Sequence, residues 1–164
     1  MLGPEHPDTA VSLNNLAFLL QDQGDLASAR PLFERMLTIR GKVFGTEHPD
    51  TAQGFNNLAN LLLAQGDLAE ARPLFERALA INEKALGPEH PFTALSLSNL
   101  GHVLRHLGRV EDAEPLICRA IALDERALGA DHPTTQRAQS NYACLLLMTL
   151  SPTNKLQPLR LTLV

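Results

Sequence analysis

LGPEHPDTA at Leu2–Ala10 returns as FGTEHPDTA at Phe44–Ala52, as LGPEHPFTA at Leu86–Ala94 and as LGADHPTTQ at Leu128–Gln136. His6, His48, His90 and His132 therefore stand 42 residues apart each time. A fixed period of this size marks a chain built by stacking one supersecondary unit. A stacked array makes a long shared surface rather than one deep site, so the period points to a binding scaffold and away from a catalyst.

Composition agrees with that reading. The 164 residues suffice for one domain with a real core. A formal net charge of −4 argues against a nucleic-acid or anionic-membrane partner, which needs a basic patch. Apolar residues make up 45% of the chain, mostly Leu and Ala, with no Trp and one Tyr, a profile that favours helices. No apolar run approaches the ~20 residues needed to span a bilayer. The opening MLGPEHPDT lacks the basic and apolar regions of a signal peptide. Cys118 and Cys144 are too few for a disulfide framework, so a reducing, cytoplasmic setting is expected.

One unit can be read in detail from Phe44–Ala85. Between Asp50 and Gln65, apolar residues at Phe55, Leu58, Ala59 and Leu62 keep the three-to-four spacing of an amphipathic helix, here helix A. Pro49 suits the first helical position, and Asp50 then lies in the first turn near the positive dipole end. Gly66 ends the helix. Asp67 with Glu70 gives a capping-box pattern for helix B, which carries Leu68, Ala71, Leu74, Phe75, Ala78 and Leu79. Gly87-Pro88 breaks the chain again. Small residues recur where two helices approach: Ala17, Ala59 and Gly101 on helix A, and Ala29, Ala71 and Ala113 on helix B. Large ones recur as knobs at Leu16, Leu58, Leu100 and Tyr142, and at Phe33, Phe75 and Ile117, which sets close interhelical packing.

Leu58-Ala59, Leu62, Ala71, Phe75 and Ala78 resemble the signature of the tetratricopeptide repeat, with the signature Trp slot taken by Leu13, Phe55 and Leu97. The 42-residue period, the GPEHPDT-like linker and the NNLA string at Asn14–Ala17 and Asn56–Ala59 resemble the kinesin-light-chain-type variety. The resemblance covers about residues 2–148. It implies an all-α, right-handed solenoid of helix-turn-helix repeats, with the A helices lining a concave groove used to bind peptides or partner proteins.

The domain reading is an array of repeats at 2–43, 44–85 and 86–127, a terminal partial repeat at 128–148, and an irregular or disordered tail at 149–164. In the fourth unit Leu150-Ser151-Pro152 replaces the Gly-Asp turn, and Gln139 takes a slot that is apolar elsewhere. Leu145, Leu146, Leu147, Met148 and Leu150 leave that helix apolar around much of its surface, open to the tail or to another copy of the chain. Because Met1-Leu2 opens inside linker sequence, a piece of a longer array is a further expectation.

Asn15, Asn57, Asn99 and Asn141 form the sharpest candidate set. Each lies one residue before the knob of helix A and so faces the groove. Neighbouring A helices about 8–10 Å apart match roughly three residues of extended peptide. A row of primary amides at that pitch can both donate to and accept from a ligand backbone, and the resemblance implies peptide contact at this slot. The alternative is that each Asn bonds the adjacent A helix and sets repeat geometry. The rest of the groove reads as Asn14, Phe18 and Gln21 in unit one, and Gln53, Asn56, Asn60 and Leu63 in unit two. Unit three adds Leu95, Ser98, His102, Arg105 and His106, extended by Arg137 and Ser140. Arg105 and Arg137 favour a peptide with an acidic residue at one end, unless they are only solvated surface charges. Helix A lacks lysines throughout, so the carboxylate clamp of chaperone-binding relatives is not reproduced.

No cofactor or metal is expected. Zinc ligands lie ~2.0–2.3 Å from the ion, far closer together than equivalent positions of stacked repeats, so the histidines read as linker or capping residues. Cys118, beside Ile117, reads as a packed hydrophobe and Cys144 as a groove-side thiol. No base or electropositive setting stands out near either, as a nucleophile would need. The reading is a non-enzymatic scaffold for an extended peptide or partner domain. The alternatives are a regulatory or sensor segment of a larger signalling protein, or a module that associates with itself through its C-terminal helix.

Overall fold

A computed structural model describes Gly3 and residues 5–150, except the side chains of residues 137, 141 and 144–150. Seven helices follow one another among the described residues: α1 (Pro7–Asp22), α2 (Leu26–Phe44), α3 (Pro49–Gln65), α4 (Leu68–Leu86), α5 (Pro91–His106), α6 (Val110–Leu128) and α7 (Pro133–Leu150). Each helix packs on its neighbours in sequence, and α3 also touches α5. The result is an α-solenoid in which odd-numbered helices are A helices and even-numbered ones are B helices. Helix α7 runs to Leu150, two residues beyond the expected edge of the array; 151–164 and the tail reading lie outside the described residues.

The repeated linker explains the pitch. His6, His48 and His90 are the N-caps of α1, α3 and α5, and each accepts the N–H two residues on at Nδ1, at 3.2, 3.1 and 3.1 Å. His132 does the same for Thr134 at 3.2 Å. The proline that follows needs no N–H partner. Thr9, Thr51 and Thr93 then donate their hydroxyls back to the carbonyls of Gly3, Gly45 and Gly87 at 3.0, 2.8 and 2.8 Å. The linker glutamates complete the clasp: Glu5 pairs with Lys42, Glu47 with Lys84 at 3.3 Å and Glu89 with Arg126 at 2.8 Å. Each unit thus ties its own linker to the end of its own B helix.

The tight A-to-B turn works differently from the capping box. Gly66 takes φ +85°, a left-handed conformation that suits glycine, and closes α3. Asp25 caps α2 by accepting from the Ser28 N–H at 3.1 Å, but Asp67 makes no side-chain cap bond. Glu70 does not turn back toward the helix start, because its carboxylate is drawn to Arg30 of the preceding B helix at 2.8 Å.

Buried small and large residues fill the seams. Ala17, Ala29, Phe33, Ala59, Ala71 and Phe75 are fully buried. In the third unit Gly101 replaces the alanine and Ile117 the phenylalanine; a Cβ at Gly101 would meet Ile117 Cγ1 at 2.5 Å. One knob differs from expectation. Leu58 and Leu61 are 7% and 0% exposed, whereas their unit-one counterparts Leu16 and Leu19 are 46% and 53% exposed. The reason is positional. Gly54 of α3 receives Met36 and Leu37 of α2, and no described helix stands on the corresponding side of α1. Tyr142 is half-buried and donates its hydroxyl to Glu114 at 2.9 Å. Gln139, polar in an apolar slot, donates to Glu125 at 2.6 Å.

Candidate functional site

The common pitch brings α1, α3, α5 and α7 onto one face, and the B helices supply the floor between them. Asn57 Nδ2 donates to Asn14 Oδ1 at 2.8 Å, joining α3 to α1. Between α3, α4 and α5 lies a cavity of about 120 Å3, lined by Pro49, Gln53, Asn56, Asn57, Asn60, Asn82, Phe92, Leu95 and Asn99. Its floor is a buried polar triad. Asn56 Nδ2 and Asn82 Nδ2 both donate to Ser96 Oγ, at 3.2 and 3.0 Å, and Asn82 Nδ2 also reaches the Phe92 carbonyl at 3.3 Å. The Oδ1 atoms of Asn56 and Asn82 have no donor among the described residues.

One repeat further, between α5, α6 and α7, a larger cavity of about 290 Å3 is lined by Pro91, Phe92, Leu95, Ser98, Asp124, Leu128, Thr134 and Ala138. Phe92 and Leu95 border both cavities and form an exposed apolar ridge between them. Burial pushes the Asp124 carboxyl up, and His132 partly offsets it. A third recess of about 30 Å3 is lined by Ser98, His102, Arg105, Ile117, Ala120 and Ala138. There Arg105 Nη2 and His102 Nε2 stand 2.7 Å apart. Burial, then Arg105 and His106, hold the His102 pKa below its ordinary value. A neutral His102 accepts from the guanidinium and fixes it. Arg105 has no carboxylate partner among the described residues.

The candidate asparagines do not form a uniform row. Asn15 is exposed, Asn57 is half-buried and already bonded to Asn14, and Asn99 is half-buried on the cavity wall. The side chains of Asn141, Arg137 and Cys144, and the apolar run of the terminal helix, lie outside the described residues. Gln53, Asn56, Asn57, Asn60 and Asn99 are brought together around one cavity, and Ser98, His102 and Arg105 around another. Asn56 differs from the groove-surface expectation: it is buried beneath that surface because Ser96 holds it. Phe18 is partly turned inward, its ring edge-on to Phe33 at 5.2 Å. Cys118 is exposed on α6 rather than packed, because the slot after Ile117 points off the seam.

Two residues escaped the sequence reading: Asn82 and Asp124. The signal was present, since Arg40, Asn82 and Asp124 occupy the same register of helix B, 42 residues apart, each interrupting an apolar stripe. Arg40 Nη1 donates to the Asp50 carbonyl at 2.8 Å, the counterpart, one unit earlier, of the Phe92 carbonyl that Asn82 reaches. It also reaches Gln53 Oε1 at 3.3 Å, and burial lowers its pKa. Among the described residues no group of three or more His, Cys, Asp and Glu side chains could hold a metal ion. None of the described helices is long and apolar enough to cross a membrane.

Comparison with known proteins places these features. The family profile described as Tetratricopeptide repeat matches residues 8–84, 50–126 and 93–150. Among solved structures, the nearly identical TPR-like repeats of a putative kinesin light chain from Podosopora anserina superpose with a TM-score of 0.81. That match has 29% identity over 88% of this chain and 68% of the other. BtubC (BKLC) from P. vanneervenii gives a TM-score of 0.77 at 24% identity, over 88% of this chain and 57% of that one. The N-terminal domain of stress-induced protein-1 from C. elegans shares the fold alone, with a TM-score of 0.59 at 15% identity over 82% and 94% of the two chains. No curated protein matches the sequence.

Proposed function

The chain belongs to the tetratricopeptide repeat family, whose repeats generally mediate protein–protein interactions, and we propose that its A-helix face binds an extended peptide segment of a partner protein. Its 42-residue units are of the kinesin-light-chain type, a fold family of typically non-catalytic scaffolds. One observation carries the peptide reading. Two cavities on successive junctions share the Phe92–Leu95 ridge, and amides that can pair with a peptide backbone surround the first. An extended chain crossing that ridge would place side chains into both cavities while its backbone meets Asn57, Asn60 and Asn99. Arg105, held by neutral His102, suits a carboxylate on the same segment.

The test is selection of peptides from a randomised display library on the full chain, followed by titration of synthetic copies. Binding that survives Asn57→Ala combined with Asn99→Ala at unchanged affinity overturns the reading. Self-association is a second reading, favoured by the open apolar edge at Leu16 and Leu19. Light scattering over a hundredfold concentration range decides it, and a constant monomer mass removes it.

A further inference from the structure

We propose that the cavity between α3, α4 and α5 is a pocket for an uncharged amide or hydroxyl side chain of the bound peptide, with Asn82 setting that selectivity; this rests on the peptide-binding reading above. No charged residue lines the cavity, and its polar walls are carboxamides. Asn56 and Asn82 are 5% and 2% exposed, and each keeps an amide oxygen without a donor among the described residues. Asn82 gives its N–H groups to Ser96 Oγ and the Phe92 carbonyl, and Asn56 gives one of its own to Ser96 Oγ, which has a single proton of its own to give. The Phe92 carbonyl, which only accepts, holds Asn82 as it stands, whereas turning Asn56 over would offer its oxygen to that proton and present its NH2 elsewhere. Under either setting the floor retains an amide atom in need of a partner.

A ligand group that both donates and accepts meets both settings, which describes a primary amide or a hydroxyl. A carboxylate only accepts and an ammonium only donates, and each would shed its hydration with no opposite charge in the pocket to replace it. An aliphatic side chain would leave the floor amides unpaired. The volume of about 120 Å3 suits one such side chain.

The repeat itself shows that position 82 can set charge without unsettling the fold. Arg40, Asn82 and Asp124 occupy one register in three successive B helices. Arg40 and Asn82 donate to carbonyls that are themselves 42 residues apart, and Asp124 lines the next cavity along. The same backbone site therefore carries a cation, an amide and an acid in turn.

The experiment selects 12-residue peptides from a randomised display library on the full chain and on its Asn82→Arg and Asn82→Asp variants. Peptides selected on the unaltered chain are expected to share Asn, Gln, Ser or Thr at one position. Replacing that residue by Leu or Glu should weaken binding at least tenfold. Asn82→Arg should move the preference to Asp or Glu, and Asn82→Asp to Lys or Arg. If all three chains select the same residue, or the peptide tolerates Leu and Glu everywhere, the pocket reading is overturned while groove binding stands. Should a variant melt below the assay temperature, the peptide-side replacements on the unaltered chain decide alone. If the unaltered chain yields no peptide that depends on Asn57 and Asn99, the groove reading falls and this one with it.

Discussion

Asn57 donates its amide N–H to Asn14 Oδ1 across the junction of α3 and α1, 2.8 Å away. The same slot in unit three, Asn99, stands on a cavity wall. The pair separates two roles that a repeated residue can hold. Asn57→Ala should lower stability by about 0.5–1.5 kcal/mol, the usual net worth of such a bond, and also weaken peptide binding. Asn99→Ala should weaken binding with little change in stability. Thermal melts set beside peptide titrations check both; equal stability losses would contradict the assignment.

Gly101 lies where a Cβ would stand 2.5 Å from Ile117 Cγ1. Gly101→Ala gains about 0.5–1 kcal/mol of helix propensity but overpacks the seam at a cost of about 1–3 kcal/mol. The net effect should be destabilising. In an Ile117→Ala background the clash is gone, so the same Gly101→Ala should stabilise. A double-mutant cycle by denaturant unfolding reads this change of sign.

Thr51 and Thr93 are 2% and 0% exposed and donate to glycine carbonyls at 2.8 Å. Thr93→Val keeps the shape but removes the donor, leaving the Gly87 carbonyl only the longer bond from the His90 N–H at 3.4 Å. A loss of about 0.5–1.5 kcal/mol is expected, measured by chemical denaturation. Thr93→Ser should recover most of it.

His102 has its pKa lowered from an ordinary 6.5 by burial first, then by Arg105 and His106. Below the ordinary value the unfolded chain takes up a proton that the folded chain resists. Stability is therefore held above about pH 6.5 and falls as pH drops from there through the lowered folded value. Protonation also removes the acceptor that fixes Arg105. His102→Gln should flatten the melting-temperature profile over that window, whereas an unchanged slope would assign the pH dependence elsewhere.

Much of the fold was legible because helix starts and stops are local. His48, Pro49 and Gly66 each act within a turn of their own position, and the period repeats the message. The Asp67–Glu70 box was misread for the opposite reason: its outcome depends on Arg30, forty residues away. Leu16 has the same neighbours in sequence as Leu58, and only the helix beside it in space decides its burial. The candidate site was legible on helix A, where facing residues recur every three to four positions. Asn82 was hidden because it acts across a junction, through Ser96 of the following helix.

The exposed Leu16 and Leu19 have a consequence for how the array comes apart. Among the described helices, α3 to α5 are gripped from two sides, and α1 and α7 from one. In this stretch of chain, loss of order should begin at those two helices and travel inward like a zip. Amide hydrogens of α1 should exchange with solvent deuterium well before those of α3 to α5. A candidate pocket set at α3–α5 thus sits in the stretch where the zip opens last.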